Sequence, residues 1–117
     1  MKTAPYYNKD MTQRERELVE RFKSLLGEKL QAGFEVIVFG SRARGEAGEE
    51  SDLDVVVITR EPETYELLMR VSGCAWEAGL GSGMIINSVV FSRAEWEHGR
   101  ERDSVLVQTV KREGIPV

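Results

Sequence analysis

The run Leu53-Asp54-Val55-Val56-Val57-Ile58-Thr59 constrains this chain more than any other stretch. It is β-branched almost throughout and lacks the polar–apolar alternation of a half-exposed strand. A continuous apolar run of this length reads as a strand covered on both faces. Such a strand needs cover above and below, so the expected fold is α/β, a small mixed β-sheet flanked by helices.

The neighbouring segments supply that cover. Thr12-Gln13-Arg14-Glu15 is a capping box that opens a helix. Leu18, Phe22, Leu25, Leu26 and Leu30 follow at helical spacing, and Gly33 suits the helix end. Residues 36–39 form a short buried strand. Pro62 fits the first turn of a second helix, along which Tyr65, Leu68, Met69, Ser72 and Trp76 share a face. Gly79, Gly81 and Gly83 break the chain before a third strand over 84–91. Ser92-Arg93-Ala94-Glu95 opens a short helix carrying Trp96, and residues 104–111 form a final helix that Gly114 ends. Residues 115–117 read as a short edge strand. The expected order is α-β-β-α-β-α-α, with residues 1–11 as an N-terminal arm.

A chain of 117 residues favours one domain over 1–117. With 41% hydrophobic and 31% charged residues it has neither a disordered nor a membrane-protein composition. No apolar run approaches the ~20 residues of a transmembrane helix. The N-terminus lacks the apolar core of a signal peptide. The single cysteine, Cys74, forms no internal disulfide and reads as a small buried hydrophobe. A cytoplasmic location is the expectation. The net charge of −4 argues against broad non-specific nucleic-acid binding, which needs a basic surface. It leaves room for a nucleotide, whose phosphates can be reached through a metal ion.

The chemistry concentrates between the first two strands, in the stretch Phe39-Gly40-Ser41-Arg42-Ala43-Arg44-Gly45 and onward to Ser51-Asp52-Leu53-Asp54. A connection of this length is long for a hairpin, and long loops in compact domains are commonly functional. Asp52 and Asp54 are two apart, so in a strand both side chains leave one face while Leu53 points into the core. Two carboxylates so close repel each other, and a cation between them removes the conflict. Mg²⁺, which takes carboxylates, water and substrate phosphates, suits such a pair, and Mn²⁺ is the alternative. Glycine at a strand end lets backbone approach a ligand, and exposed N–H groups with the Ser41 hydroxyl can grip a phosphate. Gly45 allows a second bend. Arg42 and Arg44 can meet phosphate or an acidic partner surface. Asp-x-Asp alone is commonly a solvated strand end, and Gly-Ser alone an ordinary turn. Glu46, Glu49 and Glu50 read as solvated loop.

Together these pieces closely resemble the Gly-Ser-x-x-x-Gly…Ser-Asp-x-Asp motif of the nucleotidyltransferase superfamily, here Gly40 to Asp54. At this length the chain resembles the minimal nucleotidyltransferases, which often act as antitoxins beside a HEPN-domain toxin. The closing Val-Lys-Arg-Glu-Gly-Ile-Pro-Val is also similar to that of short members. The resemblance implies that Gly40, Ser41, Arg42, Gly45 and Ser51 bind the nucleotide and that Asp52 and Asp54 are catalytic and coordinate Mg²⁺. It also implies a third carboxylate on the next core strand. That strand reads Met84-Ile85-Ile86-Asn87-Ser88-Val89-Val90-Phe91 and has no acid. Asn87 is the best match for the missing position: its carbonyl can bind a metal, but it is no general base.

Three readings follow. The first is an enzyme transferring a nucleotide, AMP from ATP, to a hydroxyl, with a tyrosine of a HEPN partner as one acceptor. The second is a binding module that neutralises a HEPN partner by contact, with weak or absent catalysis. The third is a metal-stabilised structural domain. A second copy of the chain is a further candidate partner; a membrane is not. His98 reads as a surface residue. The glycine-rich segment 79–83 reads as a helix-to-strand connection, since no lysine follows it. Trp76 and Trp96 read as core or interface anchors, and an apolar patch around Trp96 and the last helix can dock a partner.

Overall fold

The computed structural model describes residues 11–45 and 52–117. Ser51, Glu46, Glu49, Glu50 and residues 1–10 of the expected arm lie outside the described residues. Met11 is buried in the core, so the body of the protein begins before the first helix.

Thr12 caps α1 (Gln13–Lys29) with both halves of the capping box, and Leu30 closes the helix instead of Gly33. Then come β1 (Phe34–Phe39), β2 (Leu53–Thr59), α2 (Tyr65–Gly79) and β3 (Ile86–Ser92). The chain ends with α3 (Arg93–His98), a 3₁₀ turn at Arg100–Asp103, α4 (Val105–Glu113) and β4 (Ile115–Pro116). The 3₁₀ turn was not expected from the sequence. Pro62 stands ahead of α2 rather than in its first turn, because the Thr64 side chain takes the N-cap and accepts the Leu67 N–H at 3.1 Å.

The four strands form one mixed sheet in the order β3-β2-β1-β4. β1 runs antiparallel to β2 and to β4, while β2 and β3 are parallel with α2 as their crossover. Strand parity divides the core. Leu53, Val55 and Val57 pack with Leu18, Phe22 and Leu26 of α1 and with Leu67 and Val71 of α2. Val56 and Ile58 pack on the other face with Phe91, Trp96, Val107 and Val110. The continuous apolar run of β2 is therefore covered on both sides.

Two expectations are corrected. Leu67, Val71, Cys74, Ala75 and Ala78 are the inward residues of α2, whereas Tyr65, Leu68, Met69 and Trp76 are exposed. Both stripes are apolar at helical spacing, and the stripe with small residues allows closer approach to the sheet. Trp96 is buried, edge-on to Phe91 at 5.2 Å between ring centres, and Lys111 lies over its ring. The surface patch expected around it is part of the second core. Cys74 is buried, and desolvation pushes its thiol pKa up, with Lys29 working against the shift and Glu77 and Glu28 adding to it.

Candidate active site

Phe39, the last residue of β1, stands opposite Asp54 near the start of β2. The turn after β1 and the carboxylate pair are therefore neighbours. Gly40 has φ +79°, and a Cβ there would lie 2.6 Å from Asp54 Oδ2. Glycine is needed twice over, for the backbone angle and for the approach of the carboxylate. The Gly40 carbonyl then accepts N–H groups of Ala43 at 3.1 Å and Arg44 at 3.2 Å, which folds the chain into a tight turn. Gly45, at φ +72°, provides a further bend.

The turn is tied to the body by residues next to Ser41. Ala43 is buried in the core. Arg42 is also buried, and its guanidinium pairs with the Glu15 carboxylate. The guanidinium expected to meet phosphate is thus engaged with Glu15 in the interior. Glu15 in turn accepts the Thr12 N–H at 2.7 Å, so one carboxylate joins the start of α1 to the strand-end turn. The capping box is legible in the sequence, but its second use is not. Arg44 is exposed, with Glu113 at 4.0 Å. Ser41 is half-buried, between the glycine and the anchored pair.

Asp52 and Asp54 are both partly exposed. By strand parity Asp54 shares a face with Val56 and Ile58, which are buried where Asp54 is partly exposed. In the parallel ladder Asn87 of β3 stands opposite Asp54. The Asn87 amide nitrogen donates to Asp52 Oδ2 at 2.6 Å and lies 3.4 Å from Asp54 Oδ1. The sheet thus brings together Gly40, Asp52, Asp54 and Asn87 at one end of three adjacent strands. Among the described residues no group of three His, Cys, Asp or Glu side chains converges on a metal position. A cation here would take two carboxylates from the protein and complete its shell with the Asn87 carbonyl, water or phosphate. That all-oxygen set fits Mg²⁺.

Beside Asn87 a largely apolar hollow of about 520 Å³ runs along β3, lined among others by Trp76, Leu80, Met84 and Ile85. Sequence reasoning did not foresee it, because it depends on which face of α2 turns outward. The segment 79–83 forms a connection held by its own bonds: Ser82 Oγ donates to the Gly79 carbonyl at 2.7 Å and accepts the Met84 N–H at 2.9 Å. His98 is exposed on α3.

A strand-end turn and an Asp-x-Asp pair on adjacent strands of a mixed sheet, with helices on both faces, form a nucleotidyltransferase fold. The family model for the nucleotidyltransferase domain matches residues 15–112, and the chain belongs to that family as a minimal nucleotidyltransferase domain. It is also similar to a Methanocaldococcus jannaschii protein that carries the provisional name protein adenylyltransferase. The two are 31% identical over 81 residues, which cover 66% of this chain and 79% of the relative. No described helix is long and apolar enough to cross a membrane.

Proposed function

We propose that this protein transfers AMP from ATP to a hydroxyl group of a protein acceptor, with Mg²⁺ or Mn²⁺ held by Asp52 and Asp54. The observation that carries the reading is the contact between the Gly40 turn and the Asp54 carboxylate, which lets one triphosphate meet backbone and metal ligands together. The name of the archaeal relative favours a protein acceptor. A cytoplasmic location, where ATP and Mg²⁺ are at hand, accords with it.

Each residue has a part in an in-line displacement. Gly40 and Gly45 shape a turn that phosphate oxygens can approach without meeting a side chain. Ser41 donates its hydroxyl to one of those oxygens. The acceptor oxygen bonds to the α-phosphorus as the bond to pyrophosphate breaks, and pyrophosphate leaves; Asp52 and Asp54 would hold the metal, which would supply positive charge for that displacement. Asn87 takes no proton, so the acceptor hydroxyl loses its proton to water or to a group on the acceptor. A positioned base is worth about 10²–10⁴-fold, so turnover is slow.

The missing acid also favours a second reading. A chain without its third carboxylate can neutralise a HEPN-domain partner by contact, with little or no catalysis. One experiment separates the two. The protein is incubated with α-labelled ATP, Mg²⁺ and the product of the neighbouring gene. Label on the acceptor, lost with EDTA, is the expected result. A stable complex without label assigns the protein to the contact reading.

Ser41→Ala is expected to weaken ATP binding while leaving the fold intact. A lost hydrogen bond to a charged group costs roughly 1.5–3 kcal/mol, or about 10- to 150-fold in affinity. Calorimetric titration with ATP and Mg²⁺ measures it. Unchanged affinity would place the phosphate grip elsewhere.

A further inference from the structure

We propose that the outer edge of β3 is where the acceptor docks. An extended segment of the acceptor protein adds there as an antiparallel strand, with its hydroxyl residue opposite Asn87 and an apolar residue on each side. This rests on the reading of the protein as a transferase with a protein acceptor.

Among the described residues β3 is the outer strand of the sheet and pairs with β2 alone. The Leu53 N–H donates to the Ile85 carbonyl at 2.9 Å. Bonding residues alternate along a parallel ladder, so Asn87, Val89 and Phe91 follow Ile85 in bonding to β2. Ile86, Ser88 and Val90 then turn their N–H and C=O groups outward. Among the described residues no backbone bond joins these outward groups to another segment. A row of such groups is a template for one more strand, and many domains take up extended peptides in this way.

The hollow along this edge decides what the added strand carries. It lies on the α2 side of the sheet, the side on which Ile86 and Val90 pack. Ala75, Trp76, Leu80, Met84 and Ile85 are among its lining residues, and none of the lining residues is charged. A nucleic-acid strand would meet no cation along it. Residues directly opposite on paired strands point to the same face. Acceptor residues opposite Ile86 and Ser88 therefore send their side chains into the hollow, where apolar ones gain most from burial. The residue between them projects on the other face, which Asn87 shares with Asp54. It stands one strand spacing, ~5 Å, from Asn87, whose amide nitrogen is 2.6 Å from Asp52 Oδ2. There the hydroxyl oxygen bonds to the α-phosphorus of ATP, its proton passes to water, and pyrophosphate leaves. The Gly40 turn follows β1, on the opposite flank of β2. Acceptor and phosphates thus reach the carboxylates from opposite sides, as in-line transfer requires.

The test uses the full chain with α-labelled ATP, Mg²⁺ and fluorescent decapeptides that carry one serine, threonine or tyrosine. The two residues flanking it are both valine or both aspartate. Fluorescence anisotropy reads binding, and label on the peptide reads transfer. Valine-flanked peptides are expected to bind and to take label at least about tenfold better, the worth of burying such a side chain. In the antiparallel pair the flanking residues donate to β3, while the N–H of the hydroxyl residue faces away. N-methylation of a flanking amide is therefore expected to weaken binding roughly three- to tenfold. N-methylation of the hydroxyl residue is expected to leave binding unchanged. Ser88→Pro removes an outward N–H and none that bonds to β2, so it should weaken binding as a methylated flank does. If a thermal melt shows that variant misfolded, the methylated peptides carry the same test. Equal use of both flanks, or indifference to methylation, would overturn strand addition. So would a dimer in sedimentation that Ser88→Pro dissolves, which would give the edge to a second copy. No binding of any peptide would overturn the docking edge, whether or not the product of the neighbouring gene takes label. Flank-dependent binding with no label on any acceptor would instead overturn the transferase reading and leave β3 as a peptide-binding edge.

Discussion

Replacing Asp52 and Asp54 together by asparagine is expected to abolish both nucleotide transfer and the stabilisation of the protein by Mg²⁺ and ATP. A ligand that binds only the folded state at about a hundredfold above its Kd stabilises by roughly 2.7 kcal/mol. In a domain of this size that is on the order of 10 °C in Tm. The parent protein is expected to show this rise in a thermal melt, and the double variant none. The variant should melt close to the metal-free parent, since both positions are partly exposed and asparagine keeps the shape of the side chain. The same rise in the double variant would mean that metal and nucleotide bind elsewhere.

Glu15→Ala is expected to have the largest effect on stability. The Glu15 and Arg42 side chains are only 4% and 8% exposed, and they pair across the interior. Removing one partner of a buried ion pair typically costs about 3–5 kcal/mol, because the other charge stays buried without it. The same change removes half of the capping box on α1. Urea unfolding should show a loss of about 3 kcal/mol or more, with the midpoint lowered and the slope unchanged. Glu15→Gln, which keeps an acceptor for the Thr12 N–H, should lose less. A loss below about 1 kcal/mol in Glu15→Ala would show that the pair does not anchor the strand-end turn. Because Arg42 lies next to Ser41, ATP affinity should fall in Glu15→Ala even well below its melting temperature.

Local chemistry was legible from residue types alone. Thr12 and Ser92 cap helices because a hydroxyl before a helix accepts an otherwise unmet N–H. The β-branched run of β2 announced a strand buried on both faces, since from Val55 to Ile58 neither face has polar side chains to leave in water. Asp52 and Asp54 were placed on one side by the two-residue period of a strand. Gly40 and Gly45 were marked as bends, and both have positive φ.

What remained depended on pairs far apart in the chain. Two stripes of α2 are apolar, and only packing against the sheet selected the one with Ala75 and Ala78, leaving Trp76 outside. Arg42 reads as a phosphate ligand from its place in the motif. It became an internal anchor because folding brought Glu15, 27 positions away in the chain, against its guanidinium. Asn87 matched a site position by alignment with a motif, but its bond to Asp52 spans 35 positions and exists only through the parallel register of β2 and β3. Periodicity and capping act over a few residues and are written in the sequence itself. Strand order, register and the choice of buried face are settled by which long-range arrangement buries the most apolar surface with its polar groups satisfied, and only the folded chain decides that.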